Sequence, residues 1–231
     1  MSPEKNFARL HRQDVCPLNR GEETGVGLEH WDETRKKWIL YRSQAEHSSD
    51  CARHPFEKIP QRVFLDTNVV NLLVKHSEQV FEQAPIPPGL DETKAIDVEA
   101  LMHIFYLGAR AGWDVLASQK TLDELGGTPD AHARDRLLDY AIQLVDDSSE
   151  ESAYAATLGR RLIDAPFTAA LTDAADRELI GNAIGFQCDA FCTCDRKTII
   201  RKRETLTALP LRILTPAEWW ACVKPWGGLW G

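Results

Sequence analysis

Four acidic residues are spaced so that a folded α/β chain could bring them together, and their side chains have the chemistry of a metal site. They are Asp66, Glu124, Asp176 and Asp195. Carboxylates that converge repel one another and lose hydration, so a stable cluster implies a bound cation. Oxygen ligands favour Mg²⁺ or Mn²⁺, and one or two such ions can activate water and neutralise charge on a phosphodiester. The predicted chemistry is therefore hydrolysis of a phosphate ester.

Short apolar strands are the elements that would position these acids. Asp66 ends the first predicted strand, and Asp195 directly follows the third. Glu124 lies on the helix after the second strand, and Asp176 lies in the first turn of the helix before the third. Functional groups gather at the carboxyl ends of strands in an open parallel sheet. The four predicted strands cover residues 62–66, 113–118, 189–194 and 211–215.

Helical periodicity fills the segments between these strands and sets the fold class. Residues 130–146 and 150–163 are expected to form a helical hairpin, and Pro216 is expected to open the last helix. The alternation predicts an α/β fold with a mainly parallel sheet of four to five strands and helices on both faces. The other predicted helices cover residues 69–84, 95–111, 118–125 and 172–186.

Residues 1–60 differ in pattern from the rest of the chain. Alternating apolar and polar residues over 27–42 predict a β-hairpin, and the remainder is expected to be an irregular cap. We therefore expect an N-terminal extension over 1–60, an α/β domain over 61–221 and a Trp-rich tail over 222–231. The tryptophans near the C-terminus are expected to pack against the domain or a partner subunit.

Each acid also has a purely structural explanation. Asp66 and Asp195 could cap the N-termini of helices, and Asp176 could complement a helix dipole. Any one of these explanations is reasonable for a single residue. The placement of all four acids at one sheet edge favours the functional interpretation.

Several motifs, taken in order from about Arg62 to Trp220, resemble those of PIN-domain nucleases. The motifs are Phe64–Asn68, Ala117–Leu125, Asp176–Ile184, Ala190–Lys197 and the closing Ile213–Trp220. The resemblance implies a PIN-like three-layer α/β/α fold and an Mg²⁺- or Mn²⁺-dependent endoribonuclease acting mainly on single-stranded RNA. It implies that the four acids are catalytic metal ligands. It also implies that Thr67, Asn68 and Thr193 support them by orienting the ligands or a bound water.

Two of the acidic positions have a rival nearby. Asp123 precedes Glu124 directly, and Asp173 lies three residues before Asp176. Spacing favours Asp176 because the apolar face of its predicted helix lies behind it. Spacing also favours Glu124, which takes the acidic position of the second motif.

A basic cluster follows the last acid. It consists of Arg196, Lys197, Arg201, Lys202 and Arg203. Because the cluster adjoins Asp195, we expect it to contact the phosphates of a nucleic acid. The formal net charge of −8 lies wholly in residues 61–231, and four of those charges are the proposed metal ligands. The acidic balance therefore does not exclude RNA.

The remaining sequence features restrict location and partners. No apolar run approaches the roughly 20 residues of a membrane helix, and the N-terminus lacks the apolar core of a signal peptide. A cytoplasmic protein is expected. The resemblance also allows a toxin-like role with a neutralising antitoxin, and a homodimer. The alternative hypothesis is an inactive PIN-like module that binds RNA or protein, although such a module would not need the four acids.

Overall fold

The chain divides into two compact units at the Ala52–Arg53 bond in a computed structural model. The structure describes residues 29–32, 37–40, 43–145, 150–206 and 208–230. Within these ranges, none of the helices is both long enough and apolar enough to span a bilayer.

The first unit contains the predicted β-hairpin. Strands β1 (Glu29–Asp32) and β2 (Lys37–Leu40) pair antiparallel, with Glu29 opposite Leu40. Residues 33–36 between them lie outside the described ranges. The prediction of an irregular cap was wrong for the next segment, which forms helix α1 (Gln44–Arg53). The side chain of Ser43 accepts a hydrogen bond from the N–H of Glu46. Polar helix formers dominate α1, so no apolar stripe marked it in the sequence.

The second unit is built on the predicted parallel sheet. Its strands are β3 (Arg62–Leu65), β4 (Asp114–Leu116), β5 (Ala190–Cys192) and β6 (Arg212–Leu214). All neighbouring pairs are parallel, in the order β4-β3-β5-β6. The four-stranded parallel sheet confirms the α/β prediction at this level.

Helices connect and cover the strands. They are α2 (Thr67–Lys75), α3 (Ser77–Phe81), α4 (Glu92–Ala111), α5 (Gln119–Gly126), α6 (Ala131–Ala141), α7 (Glu150–Leu162), α8 (Ala174–Gly185) and α9 (Pro216–Val223). Short 3-10 helices cover Phe56–Lys58, Ile142–Leu144, Pro166–Thr168, Ile200–Thr205 and Lys224–Leu229. The helix expected over 69–84 is split at His76 into α2 and α3.

Alternate residues of the central strand feed two separate cores. Val63 and Leu65 pack with residues of α2, α4, α6 and α9. Phe64 packs on the other side with residues of α7 and α8, and its ring lies 5.7 Å from that of Phe191 on β5. Period-two alternation on a strand buried on both faces produces this division. The arrangement is compatible with three layers, helix–sheet–helix.

Aromatic contacts fasten the C-terminal segment to the second unit. Trp219 is fully buried, and its ring lies 5.9 Å from that of Trp113. Trp226 packs edge-on against Phe56 at 5.5 Å and donates a hydrogen bond to the carbonyl of His54. These tryptophans pack against the domain, as the sequence predicted.

The helical hairpin predicted over 130–163 was wrong. Helix α7 packs mainly along α8, whereas α6 packs against α2 and α5. Small residues explain the choice of partner: a Cβ on Gly181 would lie 2.6 Å from the Cα of Gly159, and one on Gly185 would lie 2.4 Å from the Cα of Ala155. The two backbones approach this closely because glycines of α8 face Gly159 and Ala155 of α7. Helical periodicity does not report such a partner.

Replacing Gly181 with Ala is expected to destabilise the fold by about 1–3 kcal/mol, because the added methyl group would press on the backbone of α7. Urea unfolding followed by circular dichroism measures the change. Gly126→Ala is the matched control, since a Cβ on this last residue of α5 meets nothing within 4 Å. Equal unfolding free energies for the two variants would contradict the close α7–α8 packing.

Candidate active site

The strand order reverses between β3 and β5, and open parallel sheets form a crevice at such a point. From β3 the chain continues to β4 at one edge of the sheet, and from β5 it continues to β6 at the opposite edge. Ligands of open parallel sheets bind at such a switch point, outside the carboxyl ends of the strands. The register places Leu65 beside Cys192, so the next residues, Asp66 and Thr193, emerge side by side. The N–H of Asp66 donates to the carbonyl of Cys192 at 3.0 Å.

Asp66 is held by two polar side chains at this crevice. It is only 4% exposed, and its Oδ2 accepts hydrogen bonds from the Thr193 hydroxyl at 2.5 Å and from the Asn68 amide. The Oδ1 of Asn68 accepts from the N–H of Cys194 at 2.7 Å, which fixes the amide. Asp66 occupies the N-cap position of α2, but its carboxyl makes no capping hydrogen bond within the described residues. Its side chain therefore does not act as a helix cap.

The environment of Asp66 disfavours its charged form. Burial, above all, raises the pKa of Asp66 to about 7, although the hydrogen bond from Thr193 acts in the opposite direction. The negative charges of Asp176 and Glu124 also contribute to this increase. A carboxyl group in this state is ionised at neutral pH only at a free-energy cost, and a cation would remove that cost.

Glu124 approaches the crevice from α5. Its Oε2 accepts a hydrogen bond from the hydroxyl of Thr67 at 2.6 Å, in the first turn of α2. Its Oε1 is buried and has no hydrogen-bond partner among the described residues. The rival Asp123 is exposed and accepts instead from the side chain of Gln119 at 2.8 Å.

Asp176 and its rival Asp173 have different environments at the start of α8. Asp173 caps the helix by accepting from the N–H of Ala175 at 2.9 Å. Asp176 is half-buried, and burial raises its pKa to about 6, with further contributions from Asp173, Asp195 and Glu124. Of these two acids, Asp176 is the one whose charge interacts with Glu124 and Asp66.

Asp195 closes a turn directly after β5. Its Oδ1 accepts from the N–H groups of Lys197 at 3.0 Å and Thr198 at 2.9 Å, and the Thr198 hydroxyl donates to its Oδ2. Partial burial raises the pKa of Asp195, but these hydrogen bonds outweigh it and hold the pKa below its usual value. Its own N–H donates to the hydroxyl of Thr193 at 3.0 Å, so Thr193 links it to Asp66.

The four acids are linked by electrostatic interactions, and their donor atoms are of the type that a hard cation prefers. All their donor atoms are oxygens. The buried Oε1 of Glu124 has no hydrogen-bond partner in the described residues, and a bound cation would be a partner for it. In the described part of the chain, however, no group of three or more His, Cys, Asp or Glu side chains is placed so that it could hold a metal ion. The oxygen donors and the negative charge therefore suit an Mg²⁺ or Mn²⁺ ion. The described side chains, as they are placed, do not form a complete set of ligands for one.

Two of the five basic residues after Asp195 are engaged in structural contacts. Arg196 forms a two-pronged ion pair with the buried Asp97, with N–O distances of 2.7 and 2.9 Å. Arg203 donates to Glu218 at 2.7 Å and to the carbonyl of Ile213 on β6. The first contact secures the segment after β5, and the second covers the outer edge of the sheet.

Of the other three basic residues, Lys197 and Lys202 act electrostatically on the acids. Lys197 and Arg201 are exposed, and Lys202 is half-buried. Lys202 lies near enough to Asp176 to lower its pKa, although burial dominates there. Lys197 has the same effect on Asp195. Lys197 and Lys202 are therefore members of the predicted basic cluster whose charges act on the site.

Sequence reasoning did not select three residues that shape the site. Arg177 donates hydrogen bonds to the carbonyls of Leu171 and Ile163, which fixes the loop before α8 and hence Asp176. Asp97 anchors Arg196, and Lys120 lies near Glu124. An acid among apolar neighbours in α4 was the available signal for Asp97. The i,i+4 spacing was the signal for Lys120.

The fold and the site define an α/β protein with a partly buried carboxylate cluster at the switch point of a parallel sheet. A comparison of the chain with models of protein families, with curated proteins and with solved structures found no match.

Proposed function

We propose that the chain is a PIN-like endoribonuclease that depends on Mg²⁺ or Mn²⁺ and cleaves mainly single-stranded RNA. The observation that carries this proposal is the state of Asp66. It is a buried carboxyl with a pKa of about 7, faced by the charges of Asp176 and Glu124 at the crevice where α/β proteins bind ligands. Buried like charges without a cation are unfavourable, and a binding site is the ordinary reason for retaining them.

The four acids would hold the cation, and the other side chains would hold the acids. A bound Mg²⁺ or Mn²⁺ supplies a lowered pKa for water and compensates charge on a phosphodiester. Asn68 and Thr193 orient Asp66, and Thr67 orients Glu124. Such supporting hydrogen bonds fix ligand geometry before binding. Asp195 contributes a carboxylate that stays ionised because N–H and O–H groups surround it.

The substrate would reach the acids past Lys197, Arg201 and Lys202. The charges of Lys197 and Lys202 act on Asp195 and Asp176, and the three cations would suit the phosphates on either side of the scissile bond. Because the rest of the domain is acidic, RNA contact would be local to this edge. A cytoplasmic location, an antitoxin-like partner and a homodimer stay predictions of the sequence.

Cleavage of single-stranded RNA in the presence of Mn²⁺ tests the function. Asp66→Asn is expected to reduce the rate by on the order of a hundredfold or more, because the central carboxylate of the cluster is removed. EDTA should abolish cleavage. Asp123→Asn is the matched control, since this exposed acid bonds to Gln119 and should leave the rate unchanged. Cleavage that survives Asp66→Asn, or that ignores EDTA, would show that another chemistry or a contaminating nuclease is at work.

A further inference from the structure

Lys120 lies between two carboxylates at the edge of the candidate site. Its Nζ is 3.8 Å from Oε1 of Glu124 on the same helix and 3.7 Å from Oε2 of Glu178 on α8. The three side chains are 27%, 25% and 21% exposed. Lys120 also occupies the first turn of α5, where the helix dipole disfavours a positive charge. The helix dipole therefore does not account for a lysine at this position.

The contact with Glu124 balances charge but leaves hydrogen bonding incomplete. A separation of 3.8 Å is too long for a hydrogen bond, and the buried Oε1 has no other donor in the described residues. The other oxygen of Glu124 is already engaged by Thr67. Oε1 is thus the atom of this side chain that is available to bind a divalent cation.

Lys120 has a second partner and space nearby. Glu178 would keep its ammonium paired if it left Glu124. A cavity of about 370 Å³ adjoins the pair and is lined by Lys120, Glu178, Asp123 and Asn182, among others. The cavity is also lined by Arg160, Ala156 and Phe186, so the lysine could turn away from Glu124 into an environment that is partly polar.

We propose that Lys120 is a built-in counterion that competes with the divalent cation for Glu124, and thereby sets how tightly this site binds metal. The inference rests on the proposed function, because it assumes a cation at the four acids. In the cation-free protein the ammonium offsets the charges of Glu124 and Glu178. When the cation binds, Lys120 remains with Glu178.

Calorimetric titration of the full chain with Mn²⁺ at pH 7 tests the competition. Lys120→Met is expected to bind Mn²⁺ about tenfold more tightly than the wild type, because a positive charge a few ångströms from the cation is removed. Lys75→Met is the matched control. It makes the same charge change at an exposed position in the last turn of α2, about 12 Å along the helix from Thr67. Its affinity should equal that of the wild type.

Lys120→Arg separates charge from shape and should bind Mn²⁺ as the wild type does. Urea unfolding in EDTA provides a second readout, in which Lys120→Met should be less stable than Lys75→Met. If Mn²⁺ binds Lys120→Met as the wild type or more weakly, the competition is wrong while the metal site stands. If the wild type binds no Mn²⁺, the proposed function and the competition both fail, and any loss of stability then describes a structural ion pair alone.

Discussion

Replacing Asp66 with Asn is expected to stabilise the metal-free protein at pH 8. The change in unfolding free energy that the substitution causes should be about 4 kcal/mol more favourable at pH 8 than at pH 4. The magnitude follows from a pKa raised from 3.8 to about 7, at about 1.4 kcal/mol per pH unit. Asn has nearly the same shape and keeps an oxygen that can accept from Thr193 and Asn68. The substitution therefore removes the buried charge while the local hydrogen bonds can persist.

The pH window follows from the direction of the shift. Because folding raises the pKa of Asp66, the stability linked to its protonated form is complete below about pH 4 and is lost as the pH rises through about 7. The wild type should lose stability over this window, and Asp66→Asn should lose less. Urea unfolding in EDTA at several pH values measures the difference between the two proteins.

Asp195→Asn is a control with the opposite sign. The pKa of Asp195 is lowered in the folded protein, so its stabilising effect is present above pH 4 and is lost only in more acidic solution. This variant should be less stable than the wild type at pH 8. Mn²⁺ should stabilise the wild type at pH 8 and have less effect on Asp66→Asn. A stability difference between Asp66→Asn and wild type that is constant from pH 4 to pH 8 would mean that folding does not raise the pKa of Asp66.

Local sequence patterns predicted the sheet and the placement of Asp66 well, because both depend on short-range features. The predicted strands of five to six residues correspond to β3 to β6, which are three to four residues long. An acid that directly follows a buried strand must emerge at the carboxyl edge, and Asp66 does. The helix caps at Asp173 and Thr215 follow from equally local chemistry.

Features that depend on contacts distant in sequence were not predicted. The pairing of α7 with α8 depends on glycines that face each other only in three dimensions. The run of basic residues after Asp195 looked uniform, but the structure engages Arg196 with Asp97, 99 residues earlier. Nothing in the local pattern distinguishes Arg196 from Lys197. Charge runs therefore require the fold before they can be assigned to a nucleic acid.

Replacing Arg196 with Met is expected to destabilise the protein by about 3–5 kcal/mol, because it leaves the carboxylate of Asp97 buried without its partner. Asp97 is 1% exposed, and its two carboxylate oxygens accept hydrogen bonds from the two terminal nitrogens of the guanidinium. The hydrogen bond with Asp97 is also the main reason that the pKa of Arg196 lies above its usual value. Thermal or urea unfolding at neutral pH measures the loss.

Lys197→Met removes the same charge one residue away and should change the unfolding free energy by only about 0.5 kcal/mol or less, because Lys197 is exposed. If the basic residues bind RNA, Lys197→Met should instead weaken RNA binding and reduce its salt dependence. Adding Asp97→Asn to Arg196→Met should recover part of the lost stability, since the unpaired charge is then gone. A variant of Arg196 that folds with full stability but binds RNA poorly would reverse this assignment and return Arg196 to the nucleic-acid surface.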